Sequence, residues 1–302
     1  MPDTLVANIT ESTQEIIETT QLMLPEFAPC LELVTRINIP KGRSEAELPA
    51  VNTFPTVQTP AEGEEVGITY QYDLTSVTIS PVERSILVRV TKRAERFSQD
   101  NLIANISEVL SQAQGRDIDQ DILAQFQNFG SGNDLGSNTA DLPLATLRTA
   151  MRLMRSITPA NGGPAPAPFS AVFSPVACED LMADIGVQGV VGSTTPWIPA
   201  GISQEQIQRF GLVSAGAQLM LLGAMVYMDS NIDNDSFGAA SGGNAGALFS
   251  KKALYLAMSQ EWDLETFTES EWLGPILRVY ADFDTGVSPY DLRGSFILTD
   301  GI

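Results

Sequence analysis

The chain has 302 residues, of which 43% are hydrophobic and only 18% are charged, so it can bury the core of one extended domain or two modest ones. Acidic residues outnumber basic residues by 37 to 17, and the net charge of −20 repels phosphate backbones, which excludes a tight nucleic-acid binder. The sequence contains no histidine, which excludes imidazole-based catalytic triads, histidine-ligated metal sites and the commonest acid–base catalyst.

The N-terminal part of the chain is polar and acidic. Residues 1–24 lack the basic start and apolar core of a signal peptide, so we expect synthesis in the cytoplasm and a partly helical arm without a core of its own. Alternating apolar residues predict a strand at Leu31–Ile39, and Pro49–Pro55 is a further extended piece. The most apolar stretch, Leu212–Met228, is interrupted by polar residues and glycines and is too short to span a membrane.

Residues 64–126 are the most informative part of the sequence, because a β-rich run leads there into one long amphipathic helix. Val66–Val77 and Ile86–Thr91 alternate apolar and polar residues on either side of Ser80-Pro81, and they predict a long loop of two paired strands. Such a pair cannot bury both its faces alone, so we expect the loop to project and to pack on a neighbouring subunit.

The helix that follows is predicted over Asp100–Phe126 and would be about 40 Å long. Gly115 interrupts its apolar pattern and predicts a kink. The predicted buried stripe comprises Leu102, Ile103, Ile106, Val109, Leu110 and Ala113 before the kink, and Ile118, Ile122, Leu123 and Phe126 after it.

The second half of the chain alternates helices and strands. We predict helices at Leu142–Ile157, Pro175–Ile185 and Gln204–Phe210, with Ser174 and Pro175 opening the second of them. Predicted strands lie at Phe169–Phe173, Gln218–Met228, Gln260–Thr268, Trp272–Asp284 and Gly294–Thr299, and Asn231–Gly246 is predicted to be a flexible loop.

Cys30 and Cys178 form neither a disulfide framework nor a zinc pattern, and we expect two buried free thiols in a reducing compartment. The sequence offers two candidate carboxylate sites. Asp117 and Asp121, with Asp119 between them, share a helix face at the spacing of four residues, and paired carboxylates can hydrolyse glycosides. We favour a solvated or inter-subunit face there, with a carboxylate-based hydrolase as an alternative.

The segment Asp229–Asp235 resembles the start of a calcium loop, but Asn234 stands where the loop needs glycine and Ala240 where it needs the closing glutamate. A polar turn is favoured over a bound cation. Charged residues elsewhere are interpreted as exposed or paired: Glu261, Asp263 and Glu265 on one face of a strand, and Lys92, Arg93 and Arg96 before the long helix. We therefore expect no catalytic, cofactor or metal site.

The order of these elements resembles the major capsid protein of tailed double-stranded-DNA bacteriophages, the Hong Kong 97 fold. The resemblance covers most of the chain and rests on the β-rich run before the long helix, on the entry RFSQD at 96–100, and on the acidic-apolar stretch DIDQDIL at 117–123. Further matching segments are LATLRTAMRLMRS, FSAVFSP, LGAMVYMDSNI and GNAGALFSKKALYLAMSQEWDLETF, followed by ILRVYADFDTGVSPYDLRGSFILTDG.

The resemblance implies an α+β fold with an N-terminal arm, an extended two-stranded loop (the E-loop), a long spine helix, a peripheral (P) domain and an axial (A) domain. The implied division is an arm at 1–45, the E-loop and its flanking strands at 46–97, the spine helix with part of the P domain at 98–140, mainly the A domain at 141–245, and closing P-domain strands at 246–302.

The implied function is a structural shell subunit that assembles into pentamers and hexamers of an icosahedral virion head around packaged DNA, which it encloses without specific binding. The implied partners are other copies of the chain, a separate scaffolding protein, a portal and, as an option, a decoration protein. A cellular compartment shell of the encapsulin type, which encloses enzymes, is the alternative within the same fold.

The chain departs from the type member of the fold in one testable way. That member joins its subunits covalently through an E-loop lysine, whereas this sequence has no lysine between Gly42 and Thr91. We predict that assembled particles, boiled with reductant and run on a denaturing gel, give a band at the monomer mass of 32.5 kDa. A ladder of heavier bands that survives this treatment would contradict the prediction.

Overall fold

The computed structural model describes residues 28–51, 62, 74–89, 102–158, 162–188, 217–232, 236–239, 242–267 and 276–300. The predicted arm at 1–24 and the predicted helix Gln204–Phe210 lie outside these residues. Within them the chain forms three α-helices and twelve strands, arranged as two sheets and a separate two-stranded ribbon.

The first sheet has four strands in the order β1-β10-β11-β4: β1 (Thr35–Asn38), β10 (Leu254–Phe267), β11 (Ile276–Val287) and β4 (Val82–Arg89). β1 runs parallel to β10, and the other neighbours are antiparallel. β11 alternates buried and half-buried residues over most of its length, as expected for a strand with one face on the core.

The long helix, α1 (Leu102–Ala124), packs on this sheet and continues into a 3-10 turn at Gln125–Asn128. It runs through Gly115, where we expected a kink. The predicted buried stripe is wrong at Val109 and Ala113, which are exposed, and right at Leu110, which is buried; Ile106 is half-buried and packs against the core. Among the side chains that the structure describes, the buried residues of the helix are Leu110, Ser111, Gln114, Gly115, Ile118, Asp119, Ile122 and Leu123.

Three polar residues and a glycine on that face explain the error. Ser111, Gln114 and Asp119 are each at most 1% exposed, so apolarity alone gives the wrong orientation for this part of the helix. After Asp119 the predicted and observed faces coincide at Ile122, Leu123 and Phe126.

The second sheet has six strands in the order β5-β12-β9-β6-β8-β7. Its strands are β5 (Leu135–Gly136), β6 (Phe169–Phe173), β7 (Ala217–Leu221), β8 (Ala224–Met228), β9 (Gly243–Ser250) and β12 (Gly294–Asp300). β6 and β9 are buried along their whole length, which suits the continuous apolar run predicted for Phe169–Phe173.

Two helices, α2 (Leu144–Arg155) and α3 (Pro175–Gln188), form a second core with this sheet. The predicted start of α3 is confirmed, since the Ala177 backbone N–H donates to Ser174 Oγ at 3.3 Å. The single strand predicted at Gln218–Met228 is two strands, because a turn at Leu222-Gly223, with φ of 54° and 87°, reverses the chain. The predicted loop Asn231–Gly246 ends early, at the start of β9.

The predicted closing unit 246–302 is divided between the two sheets. β10 and β11 lie in the first sheet, whereas β9 and β12 pair with strands of the second. The hydrophobic pattern of a strand shows that it is buried but not which sheet it joins, so sequence order alone could not assign these strands to their sheets.

The two-stranded ribbon consists of β2 (Ala46–Val51) and β3 (Leu74–Ile79), paired antiparallel. The predicted pairing of Val66–Val77 with Ile86–Thr91 is therefore wrong in the described residues, since β3 pairs with β2 and β4 pairs with β11. Ile86 and Val88 of β4 pack against the core that contains α1, and this burial favours pairing of β4 with the first sheet. Residues 63–73 lie outside the described residues.

Candidate functional site

Arg84 on β4 connects the first sheet to the long helix. Its guanidinium donates to Asp117 Oδ1 at 3.0 Å and to Asp121 Oδ2, and it lies 4.7 Å from the ring centre of Phe283 on β11. Burial raises the pKa of Asp121, and the charge of Arg84 opposes that rise. One arginine thus bridges both carboxylates of the predicted pair, an arrangement that holds β4 on the helix and pairs each acid with a cation.

Asp119, between those two residues in sequence, points into the core on another side of the helix. Its Oδ1 accepts the backbone N–H of Cys30 at 3.0 Å, and its Oδ2 accepts Nδ2 of Asn231 at 2.9 Å. Asp229 lies beside it and accepts the backbone N–H of Asn231 at 2.8 Å. Burial and the neighbouring Asp229 raise the pKa of Asp119 to about 8. We call Cys30, Asp119, Asp229 and Asn231 the carboxyl junction.

The carboxyl junction includes Asp229, the first residue of the segment that resembles a calcium loop. Asp229 is 1% exposed and its carboxylate is turned into the protein, away from a loop cation, while residues 233–235 lie outside the described residues. Ligand atoms of Cys30, Asp119 and Asp229 lie within 4.8 Å of one another, as do those of Asp141, Asp180 and Asp300. In the first group all four carboxylate oxygens already accept hydrogen bonds, the last of them from the Cys30 thiol at 3.5 Å.

Both cysteines are buried free thiols, as predicted. Burial raises the pKa of Cys178 to about 12, and burial together with the two aspartates raises the pKa of Cys30. Neither environment stabilises the reactive thiolate.

The predicted exposed acidic row is confirmed. Glu261, Asp263 and Glu265 are exposed on β10, and Trp262 between the first two is buried. Tyr280 of β11 donates to Asp263 at 3.4 Å or to Glu265 at 3.3 Å. The basic residues Lys92, Arg93 and Arg96 lie outside the described residues.

Exposed apolar side chains lie along β3 and β4, on both faces of each strand. Leu74, Val77, Val82 and Leu87 are 53%, 37%, 62% and 56% exposed, and β4 is an edge strand of the first sheet. Exposed apolar side chains beside an unpaired strand edge are typical of a surface that another chain covers. We call these four residues the β3–β4 surface.

None of the helices in the described ranges is both long enough and apolar enough to cross a membrane.

No family profile and no curated protein matches the chain in sequence. Solved structures do match it over nearly its whole length. A chain of the head of Helicobacter pylori bacteriophage KHP40 is 12% identical, with 91% of each chain covered and a TM-score of 0.67. The capsid of Ralstonia phage GP4 is 10% identical, covering 92% of this chain and 90% of that one, with a TM-score of 0.68.

The chain has the fold of phage major capsid proteins. The predicted Hong Kong 97-like α+β fold is thereby confirmed. The capsid of a native GTA particle has the same fold, at 11% identity, with 91% and 90% of the two chains covered and a TM-score of 0.62.

Sequence reasoning missed the partners of the acidic residues on α1. It singled out Asp117, Asp119 and Asp121, but did not predict that Arg84, Cys30 and Asn231 bind them from 33, 89 and 112 residues away. A single arginine, cysteine or asparagine carries no periodic signal, so only the folded chain reveals these pairs.

Proposed function

We propose that the chain is a structural major capsid protein whose copies assemble into the pentamers and hexamers of an icosahedral phage head enclosing double-stranded DNA. The observation that carries this proposal is the whole-length similarity to phage capsid chains, with about nine-tenths of both chains covered in each comparison. In this role the protein is a component of the virion and not an enzyme.

Two features of the described residues support assembly. The β3–β4 surface presents four exposed apolar side chains to a neighbour, and β4 is an edge strand of the first sheet among the described strands, so a further strand could pair with it. The net charge of −20 gives a wall that does not adhere to packaged DNA, so the genome can be enclosed without specific binding.

We further propose how the parts correspond to capsid domains. The first sheet with α1 forms the P domain, the second sheet with α2 and α3 forms the A domain, and β2 with β3 forms the base of the E-loop. A separate scaffolding protein and a portal complete the set of partners expected for such a subunit.

Electron microscopy of the purified full-length chain, alone and with a scaffolding partner, tests the proposal. We expect closed shells or rings of five and six subunits. A species that stays monomeric under both conditions would contradict it. Shells that carry enzyme cargo in place of DNA when isolated from cells would favour the encapsulin-type alternative.

The β3–β4 surface provides a matched test by mutation. We expect the double variant Val82→Asp and Leu87→Asp to remain folded but to form no particles, because two charges would be buried at the subunit contact, where each costs several kcal/mol if unpaired. Both side chains are more than half exposed in the subunit, so its melting temperature should change little.

The control for this test is Val82→Ile with Leu87→Met, which keeps the surface apolar and should assemble normally. Particle yield by sedimentation and melting by circular dichroism separate assembly from folding. Normal particles from the aspartate variant would show that this surface is not an assembly contact.

A further inference from the structure

The carboxyl junction joins three segments that are distant in sequence. Cys30 belongs to the 3-10 turn Pro29–Glu32, Asp119 to the middle of α1, and Asp229 and Asn231 to the connection after β8. Three hydrogen bonds connect the turn to the helix, the helix to the connection, and the connection back to the turn, and a fourth lies within the connection. The junction is therefore the polar attachment of residues 28–34 to the body of the subunit.

The two carboxyl groups of the junction cannot both be charged without a large penalty. Asp119 is 0% and Asp229 1% exposed, and a carboxylate oxygen of each lies within 4.8 Å of the other. Two buried carboxylates in contact repel strongly, whereas one shared proton turns that repulsion into a hydrogen bond.

Among the described residues, no compensating positive charge acts on Asp119. The groups that face Asp119 are Asp229 and the thiol of Cys30. On α1, Asp117 and Asp121 are both held by Arg84 of β4, and Glu108 and Arg116 are exposed. The other titratable groups on the packed elements are Glu32 of the turn, which is exposed, and Tyr227 of β8, whose pKa burial raises.

We propose that the Asp119–Asp229 pair is a proton-operated latch. With one shared proton it holds residues 28–34 against α1, and when that proton is lost the segment detaches. Under the proposed capsid function this segment follows the predicted N-terminal arm, so proton loss would free the base of the arm. The latch itself depends only on the geometry of the subunit and can fail while the capsid function stands.

The direction of the pH effect follows from linkage. The pKa of Asp119 is about 8 in the folded subunit and about 4 in an open or unfolded chain. The closed state therefore binds the extra proton, and its advantage declines as the pH rises from about 4 towards about 8. Above about 8 both states have lost the proton, so the effect levels off.

Alkylation of Cys30 by iodoacetamide reports the opening, because this thiol is 0% exposed when the latch is closed. Cys178, 3% exposed in the second core, is an internal control for the effect of pH on thiol chemistry. In the full-length protein we expect the rate at Cys30 relative to Cys178, measured by peptide mass spectrometry, to rise on the order of tenfold between about pH 6.5 and 8.5.

Asp119→Asn and Asp229→Asn each replace one acid by a neutral group of the same shape. Asp119→Asn should abolish this rise, and Asp229→Asn should weaken it, because burial alone still raises the pKa of Asp119. Asp117→Asn, on the same helix but outside the junction, should retain it. A wild-type ratio that does not change with pH overturns the proposal even if the junction variants fail to fold. A rise that persists in both junction variants also overturns it.

A metal site at Cys30, Asp119 and Asp229 would behave in the opposite way. Alkylation of Cys30 would then slow on addition of zinc chloride and accelerate with a chelator, and deprotonation would strengthen the site. That result would overturn the latch.

Discussion

Replacing Ile118 by aspartate is expected to prevent the chain from forming a stable subunit. Ile118 is 1% exposed in the middle of α1 and packs in the core shared by the helix and both sheets. An unpaired carboxylate buried there costs several kcal/mol, which is comparable with the whole stability of about 5–15 kcal/mol of a typical domain. We expect little soluble protein, loss of the cooperative melting transition and no particles.

The same helix offers matched controls. Gln112→Asp adds a charge at an exposed position, and Val109→Asp does so at a residue that is 62% exposed. Each should change stability by less than about 1 kcal/mol in denaturant titration. If Val109→Asp unfolds the subunit while Ile118→Asp does not, then α1 turns its Val109 side to the core and the expected orientation is wrong.

Enlarging Gly246 is expected to damage the second sheet. Gly246 lies in the buried strand β9 opposite Ile297, and a Cβ added there would overlap the ring of Phe173 and come within 2.8 Å of the Val172 carbonyl oxygen. The backbone of β6 is held between two strands and cannot move aside. We therefore expect Gly246→Ala to cost about 1–3 kcal/mol through overpacking, and Gly246→Val to cost more.

A double-mutant cycle identifies the cause. Phe173→Ala alone should cost about 3–5 kcal/mol, because it leaves a cavity at a residue that is 0% exposed. In the Phe173→Ala and Gly246→Ala double variant the added methyl group enters that cavity, so the two costs should sum to more than the measured loss by about 0.5–3 kcal/mol. Strictly additive denaturant free energies would show that the ring is not what excludes a side chain at Gly246.

The long helix shows how far periodicity carries a prediction. Its bounds were predicted within two residues, and its second half was oriented correctly by Ile118, Ile122 and Leu123. In its first half the prediction was right at Leu110 but wrong at Val109 and Ala113, because the polar residues Ser111 and Gln114 are buried there. A buried polar residue appears in sequence as surface, and only its tertiary partners reveal the difference.

Strand pairing was the other limit of the sequence. Alternation located β3 and β4 but paired them with each other because they are adjacent in the chain, whereas they pair with β2 and β11. The candidate site had the same limit. Spacing along the helix grouped Asp119 with Asp117 and Asp121. In the structure Asp119 accepts hydrogen bonds from Cys30 and Asn231, whereas the other two aspartates form ion pairs with Arg84.

The place of β12 in the second sheet affects how the protein is made. β12 follows every other described strand in the chain, yet it lies between β5 and β9. During synthesis, the described helices and the other eleven strands are therefore complete before β12 can pair between β5 and β9. A chain that stops before residue 294 leaves β5 without its partner strand and β9 paired only with β6. A chain truncated before β12 therefore cannot complete the second sheet.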